Sequence, residues 1–166
     1  MPRTTLVLGG ARSGKSARAL ALAIEAPKTF VATAEAIDGE MSERIALHQA
    51  ERGVDWSLIE APLDIVSAVE SHSDGTLLID CLTIWLNNLM YHDRDVAVES
   101  GRLIDALKAA VAPIILVSNE VGLSIAPENA LARRFRDAQG RLNQQVAAVV
   151  DRVEFIAAGL PMVLKG

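Results

Sequence analysis

The stretch LVLGGARSGKSARALALA, residues 6–23, joins a short apolar run to a cluster of small residues around one lysine, followed by an alanine-rich segment without a helix breaker. Within it, Gly9, Gly14, Lys15 and Ser16 fit the pattern GxxxxGK[ST]. The apolar run predicts a strand and the alanine-rich segment predicts a helix, which is the context that this pattern requires. The stretch therefore predicts a phosphate-binding loop between a strand and a helix.

The residues of this loop suit the binding of a nucleoside triphosphate. Successive backbone N–H groups must point toward the phosphates, and Gly9, Gly10 and Gly14 are expected to adopt the unusual dihedral angles that this requires. Lys15 would place its ammonium group against the β- and γ-phosphates, and Ser16 would offer its hydroxyl to Mg²⁺. The remaining loop positions are also expected to contact the nucleotide: Ala11, Arg12 and Ser13.

A second metal ligand is expected at the end of another buried strand. The segment TLLIDC, residues 76–81, ends an apolar run with Asp80, which we predict to share Mg²⁺ with Ser16. These residues predict that a triphosphate is bound. They leave open whether its γ-phosphate goes to a small molecule, to water or to nothing.

Apolar runs rich in β-branched residues alternate with segments of helical periodicity along the chain. This alternation predicts an α/β fold with a mostly parallel sheet flanked by helices, formed as one domain by residues 1–166. The turn EAPLD is expected to place Pro62 early in a helix, and Pro161 suits the entrance of an edge strand. The predicted strands are 5–8, 29–32, 56–59, 76–80, 114–118, 153–157 and 162–164, and the predicted helices are 15–25, 40–52, 64–71, 82–91, 98–110 and 129–150.

The composition narrows the class of protein. Of the 166 residues, 51% are hydrophobic, which is enough for a substantial core, and the net charge of -5 argues against nucleic acid as the main partner. The amino-terminal apolar run is too short for a signal sequence or a membrane span, so we expect a cytoplasmic protein. The single cysteine, Cys81, has no partner for a disulfide or a zinc site and is expected to be a small buried side chain.

A histidine lies among arginines in the segment EMSERIALHQAERG. Helical spacing puts Met41, Ile45, His48 and Arg52 on one face, with Arg44 one turn before the histidine. The nearby cations disfavour the imidazolium form, so the ring would be a neutral nucleophile, and the same guanidinium groups could bind a phosphate. The alternative is an ordinary core or surface histidine.

The second distinctive block, VSNEVGLSIAPENALARRFRDAQGRLNQ, covers residues 117–144 and begins at the end of a predicted strand. Asn119 and Glu120 are expected nearest the cleft, because open α/β sheets bind ligands at the carboxyl ends of their strands. The arginines of this block either form a solvated basic face or bind an anion, such as a phosphorylated substrate or a neighbouring subunit's nucleotide. They are Arg133, Arg134, Arg136 and Arg141.

Together these segments resemble one family. The loop GGARSGKS, the segment ATAEAIDGEMSERIALHQAERG, the strand region LLIDCLTIWLNNL and the block from residue 117 to 144 are similar to those of the bifunctional adenosylcobinamide kinases and adenosylcobinamide-phosphate guanylyltransferases of cobalamin biosynthesis. The resemblance spans nearly the whole chain, and the helix histidine and the last block are its specific parts. It implies a RecA-like P-loop NTPase fold.

The resemblance also implies two reactions. ATP or GTP would phosphorylate the aminopropanol hydroxyl of adenosylcobinamide, and GMP would then pass from GTP, through a histidine, to the new phosphate. His48 is the histidine in the matching segment, since His72 and His92 fall elsewhere, and Leu47 stands where some relatives carry a second histidine. Association as a homotrimer is implied as well. Beyond the loop and Asp80, nucleotide contacts are implied for Thr33, Ala34, Glu35, Arg44, Arg52 and Glu60.

Two other functions compete with this one. An ordinary P-loop kinase of small molecules would use the phosphate loop and leave His48 structural. A nucleotide-dependent switch would transfer no group at all. Incubation with GTP labelled at its α-phosphate separates the bifunctional enzyme from these two alternatives. The bifunctional enzyme should become covalently labelled, whereas the ordinary kinase and the switch should not.

Overall fold

The computed structural model describes residues 3–35 and 55–166 of the chain. Within these residues, seven strands form one sheet: β1 (Thr4–Gly9), β2 (Lys28–Ala32), β3 (Trp56–Glu60), β4 (Thr76–Asp80), β5 (Ile114–Asn119), β6 (Arg152–Ala157) and β7 (Leu160–Lys165). Their order is β3-β2-β4-β5-β1-β6-β7, and all neighbours are parallel except β6 and β7. The predicted mostly parallel sheet is therefore confirmed.

Five helices lie in the described residues: α1 (Lys15–Leu22), α2 (Ile65–Ser71), α3 (Leu82–Tyr91), α4 (Val96–Ala109) and α5 (Ala130–Val149). Helices α2 to α5 bury their apolar faces in one core cluster on one side of the sheet, which includes the fully buried Trp85. Helix α1 packs on the other side through Ala19, and its C-cap residue Ala23 joins the same core cluster. The predicted flanking of the sheet by helices is confirmed, and none of the described helices is long and apolar enough to cross a membrane.

Side chains alternate between these two layers along each inner strand. In β5, Ile114 and Leu116 belong to the core of α2 to α5, whereas Ile115 and Val117 belong to the core beneath α1. Both sets are buried, because an inner strand of a parallel sheet is covered on both faces. The parity of a residue in its strand therefore tells which layer its side chain enters.

Helix α1 and the turn before α2 differ from the sequence prediction. Helix α1 ends at Leu22 instead of at residue 25, because the C-cap residue Ala23 leaves the helical conformation with ψ 83°. Pro62 is not helical: α2 begins at Ile65 after the N-cap Asp64, whose carboxylate accepts from the backbone N–H of Ser67 at 3.1 Å. The predicted helix 40–52 lies outside the described residues.

Strand β7 forms an edge of the sheet, as predicted from Pro161. Because that residue pairs with Ile156 on β6 and has an open side beyond it, its missing N–H interrupts no ladder between inner strands. Leu160, Met162 and Leu164 are exposed on this strand, so the edge is apolar as well as open.

Candidate nucleotide-binding site

Predicted site residues lie together at the edge formed by the carboxyl ends of the parallel strands. Gly9 at the end of β1 pairs with Asn119 at the end of β5, and Ala32 at the end of β2 pairs with Asp80 at the end of β4. Strand β5 lies between β1 and β4, and neighbouring strands lie about 4.8 Å apart. The carboxyl edge therefore gathers the phosphate loop, Asp80 and the start of the second sequence block. Glu60 ends β3 farther along this edge, where it is exposed.

The phosphate loop joins β1 to α1, and its geometry differs in part from the glycine prediction. Gly14 is the N-cap of α1 with φ 93°, a left-handed angle that side chains resist. Gly9 and Gly10 do not have positive φ, whereas Arg12 has φ 55°. A Cβ at Gly9 would lie 2.8 Å from the carbonyl oxygen of Ile156, while a Cβ at Gly10 would meet nothing within 4 Å. Glycine is required at position 9 because the backbone of Ile156 approaches closely, and at position 14 because φ is positive. Neither reason applies to Gly10.

Lys15 and Ser16 begin α1 at the mouth of this loop, and Ala11 is exposed beside them. The Lys15 ammonium donates to the carbonyl oxygen of Gly10 at 3.1 Å, so the side chain lies over the loop. The Ser13 hydroxyl oxygen is buried and has no hydrogen-bond partner. A buried polar atom without a hydrogen-bond partner indicates a site for a polar ligand. The backbone N–H groups of the loop and the nearby lysine favour an anion.

Strand β6 and the turn after it support this loop from a distant part of the chain. The backbone N–H of Gly159 donates to the carbonyl oxygen of Ser13 at 2.8 Å. On α1, Arg18 donates from Nε and Nη2 to the two carboxylate oxygens of Glu154 at 2.7 and 2.9 Å, and Arg152 donates to the same carboxylate at 2.9 Å. The Glu154 side chain is fully buried, and these hydrogen bonds hold its pKa below the ordinary value. The first turn of α1 is therefore fixed to β6.

Asp80 lies next to a network that joins β2 to α3. The Thr33 hydroxyl donates to the carbonyl oxygen of Cys81 and accepts from its N–H, both at 2.9 Å, and the Thr33 carbonyl oxygen accepts from Asn88 at 2.8 Å. These bonds hold the Thr33 side chain, which is fully buried, against the backbone of Cys81, and its nucleotide contact stays a prediction. Burial, together with the Asp80 carboxylate, raises the pKa of the Cys81 thiol to about 11, while Lys15 opposes the shift. The predicted buried role of Cys81 is confirmed, and its thiol lies within electrostatic reach of both charges.

The side-chain oxygens of Ser16 and Asp80 are suitable ligands for Mg²⁺. Ser16 is half-buried in the first turn of α1, and Asp80 ends β4 on the same face of the sheet as α1, by strand parity with Leu78. Hydroxyl and carboxylate oxygens are ligands that Mg²⁺ prefers, and Mg²⁺ usually takes its remaining ligands from substrate phosphates and water. The described residues contain no group of three or more acidic, histidine or cysteine side chains that could hold a metal alone. A metal here would thus depend on bound phosphate.

Two of the three histidines lie in the described residues. The ring of His72 is hydrogen-bonded at Nε2 to the carbonyl oxygen of Gly75 at 3.1 Å, just before β4 and away from the phosphate loop. The ring of His92 is hydrogen-bonded at Nε2 to the side chain of Glu35 at 3.0 Å. Ala34 and Glu35 lie just after the end of β2. The predicted nucleophile and its neighbouring arginines lie outside the described residues: His48, Arg44 and Arg52.

The arginines of α5 do not converge on the phosphate loop through any hydrogen bond in the described chain. Arg133 donates to the carbonyl oxygens of Pro127 and Glu128 at the start of its own helix, and Arg136 pairs with Asp137. Arg134 and Arg141 lie one above the other and line a cavity of about 340 Å³ against α4. Both interpretations, a solvated basic face and an anion site, stay open.

A buried polar network beneath the site was not foreseen from the sequence. The Ser118 hydroxyl donates to the Asn143 side-chain oxygen at 2.7 Å, and the Gln139 amide donates to both of these side chains. The Asn143 amide donates to the carbonyl oxygen of Asn119 at 3.1 Å, and the N–H of Asn119 donates to the Thr83 hydroxyl at 2.8 Å. Buried polar side chains at helical spacing in the second block, rather than its arginines, are the signal that could have revealed this network.

Known proteins match the chain over nearly its whole length. It matches the family model described as cobinamide kinase / cobinamide phosphate guanyltransferase over residues 5–164. It is 46% identical over 167 residues to the bifunctional adenosylcobalamin biosynthesis protein CobP of Pseudomonas aeruginosa, covering 97% of this chain and 96% of that protein. It is 37% identical over 178 residues to the bifunctional adenosylcobalamin biosynthesis protein CobU of Salmonella typhimurium, covering 96% and 98%.

Solved structures match the fold at much lower identity. The P4 protein of bacteriophage phi6 in complex with ADP has a TM-score of 0.52 at 15% identity, covering 96% of this chain and 52% of that one. An ATPase from the type III secretion system of pathogenic bacteria has a TM-score of 0.53 at 12% identity, covering 97% and 56%. The chain spans about half the length of these two proteins. Their likeness confirms the predicted P-loop NTPase fold.

Proposed function

The chain belongs to the family of cobinamide kinases and cobinamide phosphate guanyltransferases, and we propose that it phosphorylates adenosylcobinamide and then transfers GMP to the new phosphate through His48. The observation that carries the first step is the shared position of the phosphate loop and Asp80 at one edge of the sheet. The full-length match to bifunctional relatives supports the second step.

In the kinase step, the substrate hydroxyl oxygen forms a bond to the γ-phosphorus of ATP or GTP. The bond from that phosphorus to the β–γ bridging oxygen breaks, the nucleoside diphosphate leaves, and the hydroxyl proton passes to solvent. Lys15 would turn from the Gly10 carbonyl to the β- and γ-phosphates, where negative charge develops. Loop N–H groups and the amino terminus of α1 would hold the remaining phosphate oxygens.

Ser16 and Asp80 would hold Mg²⁺ together with oxygens of the bound phosphates. When bound, the metal supplies charge neutralisation to the phosphates. The contribution of the chain is to present one hydroxyl and one carboxylate from two fixed elements, the first turn of α1 and the end of β4.

In the guanylyl step, a neutral nitrogen of His48 forms a bond to the α-phosphorus of GTP, and pyrophosphate leaves. An oxygen of the substrate phosphate then attacks the same phosphorus, the P–N bond breaks, and adenosylcobinamide-GDP forms. This route splits one displacement at a crowded phosphorus into two. Arg44 and Arg52 would lie a helical turn from the ring, keep it unprotonated and hold the departing phosphates. Ala34, Glu35 and Glu60 are proposed as further nucleotide contacts.

Labelling with GTP radiolabelled at the α-phosphate tests the nucleophile. We expect the wild-type protein to carry an acid-labile label and His48→Ala to carry none. The kinase reaction should persist in large part in that variant, because it depends on Lys15 rather than on the histidine.

His72→Ala and His92→Ala are the matched controls for the nucleophile, and both should still become covalently labelled. Their rings bind Gly75 and Glu35 within the described fold. Label retained in His48→Ala, or lost in His92→Ala alone, would contradict the assignment. A wild-type protein that phosphorylates cobinamide without labelling would be an ordinary P-loop kinase, and one that binds nucleotide without any product would be a switch.

We also propose that the chain forms a homo-oligomer, a trimer by family resemblance. The exposed apolar side chains of Leu160, Met162 and Leu164 along the open edge strand β7 support self-association, because large exposed apolar patches mark interfaces. Light scattering coupled to size-exclusion chromatography would measure the mass directly. A monomer at all concentrations would contradict the proposal.

A further inference from the structure

We propose that the segment between β5 and α5 binds the corrin macrocycle of the substrate through the apolar side chains of Leu123 and Ile125. This segment, residues 120–129, is named the β5–α5 loop. The inference rests on the proposed function, since it takes adenosylcobinamide as the substrate and the phosphate loop as the place of phosphoryl transfer. It goes further by assigning a surface to the part of the substrate that does not react.

The exposure of two apolar side chains is the first observation. Leu123 is 84% exposed and Ile125 is 94% exposed, the two highest values among the large apolar side chains of the described residues. Neither contributes to a core cluster in this part of the chain. Leu131, in the first turn of α5, is also exposed. Apolar side chains concentrated in one exposed segment are typical of a binding surface.

The β5–α5 loop begins at the phosphate loop. The N–H of Glu120 donates to the carbonyl oxygen of Gly9 at 3.0 Å, where β1 ends. Because an extended residue spans at most about 3.6 Å, the Cα atoms of Leu123 and Ile125 lie within about 11 and about 18 Å of that of Glu120. Residues 122–126 are all exposed. The apolar side chains therefore extend outward from the edge of the sheet that carries the phosphate loop.

Hydrogen bonds hold the loop at both of its ends. At the start, the Glu120 carboxylate accepts from the N–H of Gly122 at 2.6 Å and closes a local turn. At the end, Arg133 of α5 donates to the carbonyl oxygens of Pro127 and Glu128. A segment that is already fixed loses less entropy when a ligand binds to it. The loop thus presents its apolar side chains on a prepared surface.

The chemistry of the substrate favours this loop over the charged surfaces nearby. The cobinamide macrocycle carries methyl groups and amide arms, and it has no carboxylate that an arginine of α5 could bind. Burying methyl groups of the macrocycle against Leu123 and Ile125 removes apolar surface from water on both partners. The β5–α5 loop is therefore the surface beside the phosphate loop that suits a large ring without anionic groups.

One docking surface serves both reactions. The hydroxyl that accepts the phosphoryl group in the first step becomes the phosphate that accepts GMP in the second, so the same arm of the substrate reacts twice. A macrocycle held on the β5–α5 loop presents that arm in both steps. Transfer of GMP from GTP to His48 involves no corrinoid, and this half-reaction should not depend on the loop.

A second copy of the chain is the competing occupant of this surface. Strand β7 offers open backbone groups as well as exposed apolar side chains, whereas the β5–α5 loop contains no strand. Backbone pairing with another copy is therefore possible at β7 and not at the loop. This difference favours the substrate as the ligand of the loop.

The double variant Leu123→Ser with Ile125→Ser tests the inference. We expect the KM for adenosylcobinamide in the kinase reaction and the KM for its phosphate in the guanylyl reaction to rise about tenfold or more, because two apolar contacts are lost. The kcat of both reactions should persist, since the macrocycle is bound equally in the ground state and the transition state. The Kd of ADP and covalent labelling by GTP should match the wild type.

Two further variants separate apolar docking from a structural role. Leu123→Met with Ile125→Leu keeps the apolar surface and should keep both KM values near those of the wild type. Val111→Ser is the matched control, because Val111 is 70% exposed and lies before β5, at the opposite edge of the sheet. It should leave both KM values unchanged. Thermal unfolding verifies that every variant is folded.

Unchanged KM values in the serine double variant would overturn the inference. A lower oligomer mass of that variant in light scattering would overturn it as well, because the loop would then bind a second copy. Equilibrium dialysis against adenosylcobinamide measures docking without either reaction, and the serine variant should bind it about tenfold more weakly. A wild-type protein that binds adenosylcobinamide without phosphorylating it would overturn the proposed function, while dialysis would still decide the role of the loop.

Discussion

The phosphate loop and helix α5 are both conspicuous in the sequence, yet the structure uses their residues differently. In the loop, Lys15 lies where the motif predicts it, at the first position of α1. In α5, the conspicuous arginines are mostly exposed, while Gln139 and Asn143 turn inward and hold the end of β5. A motif with fixed spacing thus predicted the place of Lys15 in the fold, whereas a concentration of charge pointed to the outer face of a helix.

The largest effect that would sharpen this comparison is expected from Lys15→Ala. Removing the only ammonium group proposed at the β- and γ-phosphates should reduce kinase activity by at least about a thousandfold, because charge developing in the transition state loses its counterion. Initial rates at saturating nucleotide measure this loss. Lys108→Ala, an exposed lysine on α4, is a control that should behave as the wild type. Wild-type turnover in Lys15→Ala would place phosphoryl transfer elsewhere.

The next largest effect is expected from removing the buried carboxylate of Glu154, which pairs with Arg18 next to the phosphate loop. Glu154→Gln leaves Arg18 and Arg152 without their carboxylate and should cost about 3 kcal/mol in the free energy of unfolding. Denaturant titration measures this cost. A change below about 0.5 kcal/mol would show that the loop does not depend on β6 for its position.

The same carboxylate predicts a pH dependence. The guanidinium groups hold the pKa of Glu154 below its ordinary value of 4.5, so its stabilisation is complete above that pH. It is lost as pH falls through the lowered pKa of the folded state. Between the wild type and Glu154→Gln, the difference in unfolding free energy should therefore be constant near neutrality and shrink at acid pH. A difference that grows on acidification would contradict this assignment.

A smaller effect is expected from the inner face of α5. Asn143→Ala removes the partner of Ser118 and of the Asn119 carbonyl oxygen, and should cost about 2 kcal/mol because buried polar groups lose their hydrogen bonds. Gln144→Ala is the matched control, since the neighbouring side chain is exposed. Equal stability of the two variants would remove the distinction between the inner and outer faces of this helix.

The smallest effects are expected from the outer face. Arg134→Gln and Arg141→Gln should each change the free energy of unfolding by no more than about 0.5 kcal/mol, because both side chains are exposed. A sharp rise in KM for the phosphorylated substrate in either variant would break the comparison. It would show that the outer face of α5 binds an anion.

Much of the fold could be predicted because local signals agreed with one another. Runs rich in β-branched residues marked five of the strands, and the two further short strands expected at 56–59 and 162–164 are also present. Asp80 could be assigned to a strand end because an apolar run stops there. The support of the loop could not be predicted in this way. In the sequence, Glu154 is a charged residue within an apolar strand and gives no sign of its partner. The pairing of β6 with β1 brings it to Arg18. Asn119 was expected near the cleft, but the hydrogen bonds that α3 and α5 make to its backbone could not be read from the sequence.

The contact between Arg18 and Glu154 joins residues that are 136 positions apart. On the ribosome, the glycine-rich loop is therefore synthesised long before the strand that braces it, and it cannot reach its final shape while the chain is short. Contacts of such long range form late, after most of the entropy of the intervening chain has been lost. Nucleotide affinity in this protein should consequently report completion of the whole sheet, rather than the emergence of its first strand and helix.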